Sequence, residues 1–174
     1  CCDWSSDVCS SDLTACENAS YDSPAQVNAG AGIGCSIGKY RGMDRAMKSG
    51  FGTYALEAGA LRVGALVAVN ALGDVYSPDG KPVAGLLNPE KNGLSCTIEE
   101  MFADATLAAN LFTGNTTLGV VVTNARLNKT QLTKVAGMTH NGYARAIRPV
   151  HTSADGDSIY ALSVGSVPGD VNLV

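Results

Sequence analysis

The sequence GNTTLGVVVTNA, residues 114–125, joins a polar corner to a run of β-branched residues. Glycine and asparagine are typical of tight turns, whereas valine and threonine favour extended strands. The pattern predicts a loop that enters a buried strand, with two threonine hydroxyls at the point of entry. On this pattern alone, the corner is an ordinary turn with no chemistry of its own.

Two further apolar runs predict strands of the same kind. LRVGALVAVNALGDV, residues 61–75, is almost continuously apolar, dense in valine, and ended by Gly73 and Asp74. SIYALSVG, residues 158–165, is a shorter run of similar composition. Because both runs are apolar over most of their length, they predict strands that are buried on both faces.

Two predicted helices alternate with these strands. Thr97 and Glu100 have the spacing of a capping box. Apolar side chains follow at roughly helical intervals, at Met101, Phe102, Ala105 and Phe112. Asn128 with Gln131 predicts the start of a second helix, which Pro149 ends. The apolar stripe of that helix comprises Leu132, Val135, Ala136 and Ile147. The alternation predicts an α/β fold with helices on both faces of the sheet.

The stretch NAGAGIGCSIGKYRG, residues 28–42, is dense in glycine but fits neither common phosphate-binding motif. The dinucleotide fingerprint requires glycine where Cys35 stands, and the P-loop requires glycine at Ile33 and serine or threonine at Tyr40. We therefore interpret the stretch as a structural turn.

The beginning of the chain does not resemble part of a folded domain. DWSSDVCSSDL, residues 3–13, lacks the basic start and apolar run of a signal peptide, and it equals the translation of a common sequencing-library adapter. We interpret residues 1–13 as an adapter-derived artefact. The alternative is a disordered tail rich in serine and aspartate. Residues 14–28 are polar and predict irregular structure.

The composition of the chain indicates which partners and which compartment to expect. The chain has 174 residues and a formal net charge of −4, and three of its acidic residues lie within residues 1–13. The remainder is close to neutral, which gives no reason to expect nucleic acid or an anionic membrane as a partner. No apolar run reaches the length of a membrane span, and Cys16, Cys35 and Cys96 are scattered as in proteins of reducing compartments. We predict a cytoplasmic protein without nucleic-acid or membrane partners.

Residues 115–162, NTTLGVVVTNARLNKTQLTKVAGMTHNGYARAIRPVHTSADGDSIYAL, resemble the start of the β-subunit of the L-aminopeptidase/D-esterase family. That family includes the β-peptidyl aminopeptidases and the nylon-oligomer hydrolases. Its α-subunit segments resemble AMKSGFGTYAL, residues 46–56, and VGALVAVNALGDV, residues 63–75. The resemblance implies a four-layer αββα sandwich, here a fragment truncated at both ends. Residues 14–115 would be the C-terminal part of the α-subunit, and residues 116–174 the N-terminal part of the β-subunit.

The resemblance also implies a precursor that cuts itself between Asn115 and Thr116, so that Thr116 becomes the N-terminal nucleophile. A hydroxyl needs a base to act as a nucleophile. The new α-amine, with an ordinary pKa of about 7.7–8.0, is partly unprotonated near neutrality and can be that base. From the residues alone, Thr117 is a competing nucleophile.

Four other residues take roles from the resemblance. Lys48 would supply a cation near Thr116 that depresses the pKa of its amine. Asn70 would donate an amide N–H to the oxyanion. Asp155 and Asp157 would orient the ammonium and hydroxyl of the terminal threonine. From the residues alone, each also fits a structural interpretation. Lys48 would be a solvated surface lysine, Asn70 a hydrogen-bonded asparagine, and Asp155 with Asp157 an acidic turn.

The implied activity is hydrolysis of an amide bond, or an ester, in a small peptide or amide substrate through an acyl-Thr116 intermediate. His140 and His151 lack the spacing of metal ligands, so we interpret both as structural and predict no metal or organic cofactor. Family members assemble from processed αβ units, which implies a homo-oligomer.

Two alternatives remain open at this point. One is an acyl transferase resembling the ornithine acetyltransferases, and the other is an inactive gene fragment with no function of its own. If covering layers are absent, the apolar strands leave a large exposed patch. We therefore expect residues 14–174 alone to be inactive and marginally folded.

Overall fold

The computed structural model describes residues 10–104 and 114–174, with side chains described from residue 14. The helices are α1 (Ser10–Glu17), α2 (Thr97–Ala103) and α3 (Lys129–Ala146). The strands are β1 (Ser36–Ile37), β2 (Met47–Lys48), β3 (Phe51–Ala58), β4 (Leu61–Ala68), β5 (Asp74–Tyr76), β6 (Pro82–Ala84), β7 (Leu118–Ala125), β8 (Ile147–Arg148) and β9 (Ser158–Val167). Short 3₁₀ turns span Gly30–Gly32 and Val171–Leu173.

The central sheet has the strand order β3, β4, β7, β9. β4 runs antiparallel to both β3 and β7, whereas β7 and β9 are parallel. In the parallel pair, Leu118 lies beside Ser158 and Val122 beside Leu162. Two adjacent parallel strands begin at the same edge of a sheet, so the loop before β7 and the loop before β9 are neighbours.

α3 packs against one face of this sheet. It begins as predicted, because the Asn128 side chain accepts from Gln131 N and the Gln131 side chain accepts from Asn128 N. Val135, on its inner side, is 1% exposed. The buried cluster beneath the helix comprises Val121, Ala125, Leu127 and Val135, with Leu132 packed against it.

The C-terminal end of α3 differs from the prediction. Ile147 lies in β8 instead of the helical stripe, and it pairs there with Val75 of β5. It is buried in a second cluster with Ile37, Ala71 and Tyr143. The side chain therefore finds its apolar environment through contacts with distant parts of the chain, which local helical spacing does not encode.

Residues 61–75 form two strands, not the single strand that the apolar run predicted. β4 ends at Ala68, and β5 begins at Asp74 in a second sheet ordered β6, β5, β8. A Cβ added at Gly73 would clash with Pro149 O, so glycine permits a close approach of two backbones at this turn. β1 and β2 form a separate antiparallel pair.

The central sheet is not buried on both faces in the part of the chain that the structure describes. Ile159 and Ala161 of β9 pack against the cluster under α3. The residues that alternate with them face the other way, and Tyr160 and Leu162 are 63% and 47% exposed. The predicted second helical cover is therefore not found among these residues.

Two smaller predictions concern α2 and the glycine-rich stretch. α2 begins at Thr97, and its N-cap is Cys96 instead of the predicted Thr97. The Thr97 hydroxyl donates to Asp74 and does not cap the helix. Ala105 and Phe112 lie outside the described residues. The glycine-rich stretch is compact as predicted, and Gly38 has a positive φ of 65° with its backbone against Leu86.

α1 extends to Glu17, into the region predicted to be irregular. No helix among the described residues is long and apolar enough to cross a membrane.

Asp74 joins the second sheet to the start of α2, and its removal should destabilise the fold. The carboxylate is 2% exposed and accepts from Leu86 N, Thr97 N and Thr97 Oγ1 at 2.7–2.8 Å. Asp74→Ala leaves these buried donors without an acceptor. We expect the free energy of unfolding to fall by about 3 kcal/mol in urea titrations.

Asp79→Ala is the matched control, because the Asp79 carboxylate pairs with Lys81 at the surface. Exposed ion pairs contribute little, so its urea midpoint should stay near that of the unsubstituted chain. Equal losses in the two variants would contradict the assignment of Asp74 as a buried anchor.

Candidate active site

The loops before β7 and β9 meet at the centre of the site. Asn115 forms a parallel bridge with Asp155, and Ser158 N donates to Thr117 O at 3.0 Å. Asn115 and Thr117 are 1% and 0% exposed, whereas Thr116 between them is half-buried. The polar corner of the sequence is therefore a buried junction between two strands and not a surface turn.

The peptide group between Asn115 and Thr116 is held from both sides. Its carbonyl oxygen accepts from Gly156 N at 2.8 Å, and its N–H donates to Asn70 O at 2.8 Å. The Thr116 hydroxyl donates to the same Asn115 oxygen at 2.6 Å. The Thr116 hydroxyl thus lies against the carbonyl that precedes it in the chain, and hydrogen bonds on both sides hold that peptide group in place.

A buried lysine and an asparagine contact the preceding carbonyl. Asn70 Nδ2 donates to Gly114 O at 3.1 Å, and Lys39 Nζ lies 3.5 Å from the same oxygen. Lys39 Nζ also donates to Asn70 Oδ1 at 2.7 Å. The structure therefore brings Asn70, a predicted site residue, to the junction and fixes its amide with N–H directed at a carbonyl oxygen.

Lys39 is 1% exposed, which is unusual for a lysine. Burial lowers the pKa of its ammonium group, and the nearby Asp155 and Cys35 partly oppose this effect. The ammonium group therefore lies buried at the junction, where its charge interacts with neighbouring polar groups more strongly than it would in water.

Lys48, the lysine predicted to lie near Thr116, is placed elsewhere. Its side chain is exposed, and its Nζ donates to Asn28 Oδ1 at 3.2 Å. Among the described residues, the ammonium that contacts Asn70 and Gly114 belongs to Lys39. The geometry therefore favours Lys39 over Lys48 for the cation of the site.

Lys39 lies in the glycine-rich stretch that we interpreted only as a turn. The local signal was the density of glycines and not the lysine itself, because a lysine is normally exposed and the burial of Lys39 depends on contacts with Asn70 and Gly114. Glycines at such positions also let the backbone pack closely. Gly38, beside Lys39, lies with its Cα against the backbone of Leu86, so the segment is drawn inward.

Asp155 connects two segments of the chain. Its Oδ1 accepts from Leu72 N at 3.3 Å, and its Oδ2 accepts from Thr152 N and Oγ1 at 3.0 and 2.6 Å. Leu72 belongs to the turn that also contains Asn70. Asp155 therefore positions the loop before β9 against the turn that carries Asn70.

Asp157 links the junction to a group of aromatic side chains. Its Oδ1 accepts from Thr117 N at 2.9 Å, and its Oδ2 lies 2.9 Å from His151 Nδ1. The rings of His151 and His140 are 4.8 Å apart, with Tyr143 beside both. Burial raises the pKa of Tyr143 to about 12, with a contribution from Asp157. Among the described residues, neither Asp155 nor Asp157 is hydrogen-bonded to Thr116, so their role in orienting it stays a prediction.

Thr117, the competing nucleophile, has a different environment from Thr116. Its hydroxyl is buried and has no hydrogen-bond partner among the residues that the structure describes. Its own N–H is bound to Asp157. The Thr116 hydroxyl, by contrast, contacts the preceding carbonyl and is half-buried, so the geometry favours Thr116.

Within residues 10–104 and 114–174, no three His, Cys, Asp or Glu side chains are grouped to hold a metal ion.

Comparison with known proteins gives a consistent set of similarities. Residues 5–171 match the family described as Peptidase family S58. An uncharacterized aminopeptidase of Mycobacterium leprae is 39% identical over 141 residues, which cover 79% of this chain and 37% of that protein. A 6-aminohexanoate-oligomer endohydrolase of a Kocuria species is 31% identical over 145 residues, covering 82% and 40%. The chain therefore spans roughly two fifths of the length of these relatives.

A solved structure gives an independent view of the fold. The L-aminopeptidase D-Ala-esterase/amidase from Ochrobactrum anthropi, described as a variant of the Ntn hydrolase fold, superposes with a TM-score of 0.58. The alignment covers 88% of this chain and 36% of that chain at 21% sequence identity. At this identity the likeness concerns the fold alone.

The lowered pKa of Lys39 predicts a pH dependence of stability. Because the folded chain binds this proton less tightly than the unfolded chain, stability should rise with pH between the lowered pKa and the ordinary value of about 10.4. Lys39→Met should flatten that rise, measured as urea unfolding free energies between about pH 8 and pH 10.

Lys48→Met is the matched control, since it removes an exposed lysine of the same size. Its stability should keep the pH slope of the unsubstituted chain. An unchanged slope in Lys39→Met, or an equal change in both variants, would contradict the burial of a charged Lys39.

Proposed function

The chain belongs to peptidase family S58, as the resemblance predicted, and from that premise we propose that it is a self-processing amide hydrolase. Its nucleophile is Thr116, released as an N-terminus by cleavage between Asn115 and Thr116. The observation that carries this proposal is the contact between the Thr116 hydroxyl and the Asn115 carbonyl oxygen at 2.6 Å. The fixed peptide group around that contact supports it, because positioning of reacting groups contributes strongly to rate.

Self-cleavage would begin as an N-to-O acyl shift. Thr116 Oγ1 attacks the Asn115 carbonyl carbon, and the negative charge develops on the Asn115 oxygen. The bond from that carbon to Thr116 N then breaks, and the hydroxyl proton ends on the nitrogen, which becomes the α-amine. Water hydrolyses the resulting ester, so that Asn115 gains a carboxylate and Thr116 recovers its hydroxyl.

Turnover would use the same threonine, with its own α-amine as the base. The α-amine of Thr116 accepts the proton of its own hydroxyl during attack on a substrate amide. The acyl group passes to Thr116 and is released by water. A free amine near its ordinary pKa is suited to this exchange close to neutral pH.

Asn70 and Lys39 would stabilise the oxyanion of the substrate. In the uncut chain their donors are directed at Gly114 O, at 3.1 and 3.5 Å. Cleavage creates a chain end at Asn115, one residue away, and lets the Gly114 carbonyl leave. The two donors then become available to a substrate carbonyl. We infer that the uncut chain occupies its own oxyanion site and is inactive until it is cleaved.

The substrate class that fits this chemistry is a small peptide or another amide, with esters as a secondary class. Two of the relatives are named as an aminopeptidase and an oligomer endohydrolase, and both names describe enzymes that hydrolyse amide bonds. We further propose that processed αβ units form a homo-oligomer in the cytoplasm, and that turnover requires no metal, organic cofactor, nucleic acid or membrane.

Processing should occur at a single bond and should depend on one hydroxyl. N-terminal sequencing of the smaller fragment should read TTLGVV, which places the cut before Thr116. Thr116→Ala should leave the chain uncut, because it removes the attacking oxygen. Thr117→Ala is the matched control and should still be cut. These experiments use an extended, adapter-free version of the protein. A fragment that begins TLGVV, or an unsubstituted version that stays uncut, would refute Thr116 as the nucleophile.

The pH dependence of turnover should report the α-amine and not a histidine. The acid limb of kcat/KM reflects the base of the free enzyme. Replacing His140 and His151 with glutamine should therefore leave that limb in place, even though His151 contacts Asp157. Loss of the limb in the double variant would assign the base to a histidine instead.

A further inference from the structure

The carbonyl oxygen that would become negative during self-cleavage is bound by a backbone group and not by Asn70. Asn115 O accepts from Gly156 N at 2.8 Å. The Asn70 amide is directed at Gly114 O instead, one residue earlier. The structure therefore contains two separate places where a carbonyl oxygen meets N–H donors.

We propose that the backbone N–H of Gly156 is the oxyanion donor of the self-cleavage step, and that the Asn70 side chain serves turnover. This inference rests on the proposed self-cleavage at Thr116. The distance of 2.8 Å from N to oxygen lies within the range of about 2.7–3.1 Å expected of an oxyanion donor. Because the Gly156 N–H already contacts the Asn115 oxygen before the reaction, it stabilises the negative charge without any movement of the backbone.

The segment that carries Gly156 is fixed on both sides of the donor. On one side, Asn115 Nδ2 donates to Ala154 O at 3.2 Å. On the other side, Ser158 N donates to Thr117 O at 3.0 Å. These contacts join the two strand-entry loops across the bond that breaks, so the Gly156 N–H has little freedom to move away from the Asn115 oxygen.

The identity of residue 156 follows from the space around the nucleophile. A Cβ added at Gly156 would lie 2.8 Å from Thr116 Oγ1 and 3.6 Å from Asn115 O. The φ of Gly156 lies outside the left-handed region, so backbone conformation does not require glycine here. Any side chain would instead press on the attacking hydroxyl. Glycine at position 156 therefore supplies the backbone N–H donor and leaves room for the Thr116 hydroxyl.

The most direct test replaces Gly156 with glycolic acid, which converts one amide to an ester and removes only the N–H. Self-cleavage of the full chain, followed by intact mass, should slow by about 10²–10³-fold. The matched control is the same replacement at Gly169, which lies against Ala125 at the far end of β7. That control should cut at the rate of the unsubstituted chain.

Asn70→Ala tests the division of roles by ordinary mutagenesis. It removes the side chain that contacts Gly114 but keeps the Asn70 backbone oxygen that accepts from Thr116 N. Self-cleavage should continue within about tenfold of the normal rate, whereas turnover by the processed form should fall by about 10²–10³-fold. A loss of self-cleavage as large as the loss of turnover would overturn the division.

Gly156→Ala provides a second test, because it keeps the N–H and adds only the methyl group beside Thr116 Oγ1. It should slow self-cleavage while the melting temperature of the uncut chain stays close to normal.

Self-cleavage at the normal rate in the glycolic-acid chain would overturn the role of Gly156 and leave the proposed nucleophile intact. An extended, adapter-free protein without substitutions that never cuts would overturn both.

Discussion

Leu118 of β7 lies beside Ser158 of β9, and this parallel register continues upstream to the bridge between Asn115 and Asp155. The site depends on that pairing, because it places the two strand-entry loops side by side. A shift of one residue would turn the side chains of a strand to the opposite face. It would also move Gly156 N away from the Asn115 oxygen. The register of one strand pair therefore sets the geometry of the bond that would be cut.

The site also contains an energetic cost that the fold must offset. Lys39 is buried, and burial lowers the pKa of its ammonium. Transfer of a charge from water is unfavourable unless hydrogen bonds and opposite charges compensate. Asn70 Oδ1 accepts from Lys39 at 2.7 Å, and the nearby Asp155 supplies negative charge. A stable fold could replace such a cluster with apolar residues, so its presence favours a catalytic use of the lysine.

The sequence alone predicted the elements whose signals are local. The strand after Thr116, the capping box of Asn128 and Gln131, and the family all followed from short stretches. The errors came from contacts between distant residues. Gly73 splits an apolar run because Pro149 approaches it, and Ile147 joins a sheet with Val75. Lys39 was missed for the same reason, since its burial depends on Asn70 and Gly114, which are far away in the chain.

The central claim is that Asn115 and Thr116 separate through an ester on the Thr116 hydroxyl. Hydroxylamine attacks esters much faster than amides near neutral pH, so it can capture such an ester as it forms. If the unsubstituted chain is processed in hydroxylamine, mass spectrometry should find a fragment that ends in the hydroxamate of Asn115. A fragment that ends only in the Asn115 carboxylate, produced at the same rate with and without hydroxylamine, would contradict the acyl shift.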